Sequence, residues 1–263
     1  MFNDPSGYEL CPIPRLASKG RWRVEAMRSY TSPLFLWFTR GQGRVTVSGI
    51  QRGYGPMSVI FIPPGRMHSF EVGPQVFGTA LFFPNHTAPS LPQKPLNFRL
   101  RDTAQQTELA VLVENINREL AADMLYRTEA LDLHAGILAL WLIRRQAEIE
   151  ESSQKEDASR RLAERFTTMV EAQFRSGKGV QEYAAELGVT PTHLSRACRE
   201  AAGRPASKLL ADRVISEARR LLADTEMPVN EVSRRLGYSS AAYFTRAFQG
   251  HTGQTPSAFR KSA

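Results

Sequence analysis

The chain has 263 residues, is 42% hydrophobic and carries 34 Lys and Arg against 26 Asp and Glu, a net charge of +8 at pH 7. That length fits one large or two medium domains with a buried core, and no apolar run approaches the ~18 residues of a membrane span. Only two cysteines occur, Cys11 and Cys198, without metal-ligand spacing, which excludes a disulfide framework and fits a reducing cytoplasm.

The first residues, MFNDPSGYELCPIP, lack a basic region followed by an apolar one, so no secretory signal is expected. Residues from about 30 to 84 read as β. In GRVTVSG (43–49) Val45 and Val47 alternate with Arg44, Thr46 and Ser48. SVIFIPPG (58–65) is a short apolar strand stopped by its prolines, and VFGTALFFP (76–84) is another. Closely spaced Gly and Pro suit a small all-β barrel or sandwich. The prolines of 87–97 predict an irregular crossing.

Helices follow. In 104–121, Leu109, Leu112, Val113, Ile116 and Leu120 form a one-sided stripe. Residues 128–149 are apolar over a wide arc, so more than one face must be covered. Part of that arc is expected to pack on the β-domain and part on a second subunit, with Leu138, Trp141 and Leu142 as dimerisation residues. EESSQKEDAS (150–159) is polar and charged. The organisation expected is therefore α+β and multidomain: 1–150 as one domain, 151–159 as linker, and an all-α domain over 160–263.

Two short segments of that last domain are alike. LGVTPTHLSRACREAAGRPASKLL begins at Leu187 and LGYSSAAYFTRAFQGHTGQTPSAFR at Leu236. Each opens Leu-Gly, passes a hydroxyl-rich turn, and sets a hydroxyl residue before an Arg: Ser195-Arg196 and Thr245-Arg246. Each reaches a Gly seven residues after that Arg, Gly203 and Gly253, with a Pro soon after. Short helix, tight turn and capped second helix describe a helix-turn-helix, here over 180–200 and 229–249. Its second helix suits the DNA major groove. The charge agrees: residues 158–263 hold 17 Lys and Arg against 10 Asp and Glu, whereas residues 1–157 hold 17 against 16. Core spacing leaves Thr192, Ser195, Arg196 and Arg199 outward on one second helix, and Ala241, Ala242, Thr245, Arg246 and Gln249 on the other.

Residues 160–263 resemble the DNA-binding domain of the AraC/XylS family of bacterial transcription regulators, most closely through LGYSSAAYFTRAFQGHTGQTPSAFR. The first unit is similar but has Ala197-Cys198 where bulkier core residues are usual. FIPPGRMHSF (61–70) resembles a turn of the cupin-like sensor barrel that precedes the dimerising helices in that family. The resemblance implies a cytoplasmic homodimer that binds double-stranded promoter DNA, contacts RNA polymerase and responds to a small-molecule effector. It places Thr192, Ser195, Arg196, Ala241, Ala242 and Arg246 toward the bases, with Arg199 and Thr245 beside them. Ala and the Thr methyl can pack only on thymine methyls, whereas Arg can hold guanine by two bonds, so the first unit is expected to discriminate more.

Barrels of this kind are often metal enzymes, whose ions need several His and carboxylate ligands on facing strands. GRVTVSGIQRGYGP has no His, and His68 and His86 stand apart, so neither a metal, a cofactor nor an enzyme is expected. A metal-free barrel can hold a small molecule, and Trp37, Arg44, Val47, Phe61, His68, Phe70 and Phe82 are the residues expected to face it. Two alternatives stay open: a cupin enzyme with an accessory DNA-binding domain, and a regulator controlled by a protein partner.

Overall fold

The computed structural model describes residues 7–84, 91–122, 124–152 and 157–262. The N-terminal part holds β1 (Glu9–Pro12), α1 (Ile13–Leu16), α2 (Trp22–Glu25), β2 (Leu34–Arg40), β3 (Gly43–Val47), β4 (Ile50–Tyr54), β5 (Ser58–Ile62), β6 (His68–Phe70), β7 (Phe77–Phe82) and β8 (Leu96–Arg99). They form two antiparallel sheets, of order β1-β7-β2-β5-β8 and β4-β3-β6. The segment expected as an irregular crossing thus ends in strand β8, which pairs Phe61 with Leu96 and Val59 with Phe98.

The five-stranded sheet is covered on both faces. Leu34, Leu36, Phe38, Ile60, Ile62, Ala80 and Phe82 point to the small sheet and share a core with Val45, Val47, Tyr54 and Phe70. The alternate residues Phe35, Trp37, Val59, Phe61, Leu81 and Phe83 point the other way, as the period of two requires. There they meet α3 (Thr103–Ala121) and α4 (Arg127–Ser152), an antiparallel helix pair. Asp102 caps α3 by accepting from the Ala104 N–H at 2.9 Å. On α3, Leu109, Val113 and Ile116 are buried, as their spacing predicts.

The C-terminal part is helical: α5 (Ala158–Gln173), α6 (Val180–Glu186), α7 (Pro191–Ala202), α8 (Ala206–Asp224), α9 (Val229–Arg235), α10 (Ala241–Thr252) and α11 (Pro256–Ser262). α4 reaches Ser152 and α5 starts at Ala158, so much of the expected linker is helical, and residues 153–156 lie outside the described residues. One core joins these helices, and Met27 and Met67 of the N-terminal part belong to it.

The two parts are therefore packed together. α5 and α7 touch β4. Glu171 on α5 accepts from Ser29 Oγ at 2.5 Å and from Arg213 on α8 at 2.6 and 2.9 Å. Arg23 pairs with Asp224 at 3.0 Å, and the Trp22 ring meets Phe259 of α11 edge-on at 5.6 Å.

Candidate nucleic-acid interface

α6–α7 and α9–α10 are the two helix-turn-helix units, and local chemistry fixes each. Thr190 caps α7 by accepting from the His193 N–H, and Ser240 caps α10 by accepting from the Tyr243 N–H, both at 3.2 Å. Pro191 occupies the first turn of α7, where its missing N–H costs nothing. Gly203 and Gly253 end the helices at φ of +68° and +79°, a conformation side chains resist. Leu194 and Cys198 of α7 are buried, as are Phe244 and Phe248 of α10. Ala197-Cys198 is accommodated by α5, which packs closely on α7. The turn of the second unit is also pinned against the loop that precedes α6. Gly237 has φ of +78°, and a Cβ there would lie 2.3 Å from the Gly177 nitrogen.

The remaining faces are open. Thr192, Arg196 and Arg199 are exposed and Ser195 is half-buried on α7; Ala241, Ala242 and Arg246 are exposed and Thr245 is half-buried on α10. The structure brings each set onto one helix surface. It also exposes residues that spacing alone did not single out: His193 and Glu200 on α7, Tyr243 on α10, and Arg234 and Arg235 on α9. The signal for Tyr243 was available, since it stands fifty residues after His193, the offset that relates α7 to α10.

The charges beneath this surface are neutralised in pairs. Burial alone would raise the Glu217 carboxyl of α8, but hydrogen bonds from Arg220 and Arg175, with the Arg220 and Arg213 charges, hold it down at about 2. Arg213 lies 3.6 Å from Glu217 and also binds Glu171. This network ties the turn before α6 to the long helix between the units.

The residues expected around an effector do not assemble into one cavity. Trp37 and Phe61 face the α3–α4 pair, Phe70 and Phe82 fill the core between the sheets, and Arg44 lies outside on the small sheet, paired with Glu71 at 2.7 Å. His68 is buried, and its Nδ1–H donates to the Arg66 carbonyl at 2.9 Å. The physical reason is that both faces of the large sheet are covered, so an inward strand position is a packing position. Val47 lines a cavity of about 670 Å³ at the junction of the two parts, while Arg44 and Phe70 line a separate one of about 380 Å³. In the larger cavity Val45, Ile50 and Leu96 supply the apolar lining, Arg52 and Arg66 the polar edge, and Arg161 and Glu164 the α5 side.

The dimerisation residues need a similar correction. Leu138, Trp141 and Leu142 are buried against the molecule's own sheet and α3, and the Trp141 indole N–H donates to Glu108 at 2.9 Å. The apolar residues α4 leaves outward are Leu133, Ile137 and Leu140, which are 71%, 50% and 55% exposed.

Among the described residues no group of three His, Cys, Asp or Glu could hold a metal, and His86 lies outside them. Among them also, no helix is long and apolar enough to cross a membrane.

Two capped helix-turn-helix units on one helical domain with a strongly basic composition define a DNA-binding transcription regulator. Residues 183–262 match the family described as a helix-turn-helix domain. The arabinose operon regulatory protein of Salmonella typhimurium is 27% identical over 237 residues, covering 84% of this chain and 80% of that protein. Its Escherichia coli counterpart is 27% identical over 231 residues, covering 84% and 77%. A crystal structure of ToxT from Vibrio cholerae is similar over 97% of this chain and 96% of that one, with 13% identity and a TM-score of 0.44. Residues 183–262 thus form a helix-turn-helix domain, and over most of its length the chain is similar to the arabinose operon regulatory proteins.

Proposed function

We propose that the protein is a one-component regulator that reads promoter DNA with α7 and α10, acts as a homodimer in the cytoplasm, and responds to a small molecule. The observation that carries this reading is the matched pair of open helix faces, at a fixed offset of fifty residues on a shared core. Thr192, Ser195, Arg196 and Arg199 serve one major groove, and Ala241, Ala242, Thr245 and Arg246 the next. Arg234 and Arg235 stand at the end of α9, the helix that touches phosphates in such units. With 17 Lys and Arg against 10 Asp and Glu, the 158–263 region would release several counterions on binding. Titrating DNA binding against salt should give a steep negative slope. A flat slope would remove DNA as the partner.

The junction cavity is the effector site in this reading, because a ligand there touches β3, β4 and β8 on one side and α5 on the other. Binding would bias how the two parts sit, which is what a sensor must do. Its lining supports an organic molecule with an apolar body, and thermal-shift screening of metabolites tests this through mass action. RNA polymerase is the further partner expected of such a regulator.

Homodimerisation is assigned to the outward row of α4. Leu133 and Leu140 are equidistant from a two-fold axis near Gly136–Ile137, and so are the exposed Glu129 and Arg144. Two antiparallel copies would set Leu133 against the partner's Leu140 and Glu129 against the partner's Arg144, a self-complementary patch.

A further inference from the structure

We propose that the second unit recognises thymine methyl groups and that Tyr243 sets this preference. The inference rests on α10 being a DNA-reading helix, as in the function proposed above, and goes beyond it by naming the chemistry that is read.

The offset of fifty residues makes the two recognition surfaces comparable position by position. On α7 the exposed face offers the Thr192 hydroxyl, the His193 imidazole, the Arg196 and Arg199 guanidinia and the Glu200 carboxylate. On α10 the corresponding places hold Ala242, Tyr243, Arg246, Gln249 and Gly250, with Ala241 ahead of them. The first turn of α10 thus presents two methyl groups and a ring where α7 has Pro191, the Thr192 hydroxyl and the His193 imidazole. Thr245 adds little hydrogen bonding, because its hydroxyl already donates to the Ala241 carbonyl at 2.8 Å.

Tyr243 is the feature that needs an account. It is 55% exposed on a helix whose other aromatics, Phe244 and Phe248, are fully buried. Its ring is braced. Tyr238 lies 5.7 Å away by centroid, and Tyr238 is itself packed edge-on against Phe244 at 5.2 Å. A ring held this way loses little freedom when it meets a ligand.

In the major groove only thymine offers an apolar group, its C5 methyl; the other edges present donors and acceptors. The two Ala methyls and the face of a fixed ring have nothing to give those edges; only the phenol hydroxyl at the ring's tip could. Over them the apolar surface would leave them unpaired, which is unfavourable. Against a thymine methyl it excludes water from both partners. The second unit would therefore favour thymine in its half of the site, while α7 reads polar edges. Tyr243 is the larger part of that surface and its only rigid aromatic.

The test uses the full chain. Bound sequences are first selected from a random duplex library. The half-site under α10 is then mapped with a DNA-cleaving iron chelate attached to Gln249→Cys, a usable label because Cys11 and Cys198 are both buried. Each thymine of the selected site is replaced in turn by deoxyuridine, which keeps the pairing and removes only the methyl. We expect one or more replacements in the mapped half to weaken binding by about fourfold, the factor given by burying about one methylene. Tyr243→Ala should lose most of this sensitivity, and Tyr243→Phe should keep it. Tyr243 is exposed, so both variants should fold as the wild type does, which circular dichroism checks. The proposal is overturned if deoxyuridine is tolerated throughout the mapped half. It is also overturned if Tyr243→Phe weakens all duplexes as Tyr243→Ala does, which would put the phenol on a phosphate. If no sequence is enriched at all, the DNA-reading assignment of α10 falls and this proposal falls with it.

Discussion

Arg196 and Arg246 hold equivalent places in the two units, but their surroundings differ. The Arg196 guanidinium lies 3.9 Å from a Glu200 oxygen and 3.4 Å from His193 Nδ1. Ser159 of α5 donates to the other Glu200 oxygen. At the corresponding places beside Arg246 stand Gly250 and Tyr243, neither of which can pair with it as a carboxylate does. Arg196 is therefore oriented and flanked by other hydrogen-bonding groups, while Arg246 is a single cation on an apolar face. Arg196→Ala should relax base preference at one operator position and cost about 1–3 kcal/mol there. Arg246→Ala should weaken binding evenly across sequences and lower the salt slope by about one. Sequence selection and salt titration of both variants check this, and an exchange of the two outcomes would reverse the roles. Glu200→Gln removes a negative charge from a surface that meets phosphates. It should raise affinity for unrelated duplexes more than for the selected one, so the ratio of the two affinities shrinks. An unchanged ratio would mean that Glu200 does not orient Arg196.

At the scale of elements, α4 decides where two copies could meet. Leu133→Glu should weaken association in sedimentation while leaving the melting temperature close to wild type, because Leu133 is 71% exposed. Leu138→Glu should instead unfold the N-terminal part, since it buries an unpaired carboxylate in the core shared with the large sheet. If both variants keep the wild-type association state, the dimer contact lies elsewhere. The contrast between these two leucines shows what the sequence can carry. The arc of 128–149 signals that α4 is covered on more than one side, but periodicity carries no label saying which side meets the chain's own sheet. The one-sided stripe of α3 has no such ambiguity, and its buried residues were legible. The strands fail in the same way as α4. Alternation separates Trp37 from Leu36 and Phe61 from Ile60, yet both sets are covered, so no pattern could say which set faces a cavity. The helix-turn-helix units were readable almost whole, because a Thr or Ser cap, a left-handed Gly and a hydroxyl-rich turn are decided within a few residues.

For the whole molecule, the junction is the part least visible in the sequence, because its partners are far apart along the chain. Ser29 meets Glu171, Arg23 meets Asp224, and Arg66 approaches Glu164 at 3.4 Å. At its centre the Arg28 guanidinium donates to the Trp22 carbonyl at 2.5 Å, and the backbone of Arg28 pairs with that of His68. The Tyr30 ring lies 5.1 Å from the His68 ring, whose Nε2 has no partner among the described residues. Burial lowers the His68 pKa to about 4; the bond to the Arg66 carbonyl opposes this, and the charges of Arg28 and Arg213 add to it. A histidine whose folded pKa lies below its unfolded value of about 6.5 takes up its proton more readily when the chain unfolds. Stability is then fully present above pH 6.5 and falls as pH drops toward 4, by up to roughly 3 kcal/mol. Glu217, held at about 2, acts lower on the scale: its contribution is present above about 4.5 and falls as pH drops toward 2. Both groups make acid destabilising, in two separable windows. His68→Gln removes the first group and leaves the second. Melting temperature measured from pH 8 to pH 3 should fall for the wild type already between 6.5 and 4, whereas His68→Gln should hold nearly flat until about 4.5. Parallel curves for the two proteins across the upper window would show that His68 is not the group that couples the junction to acid.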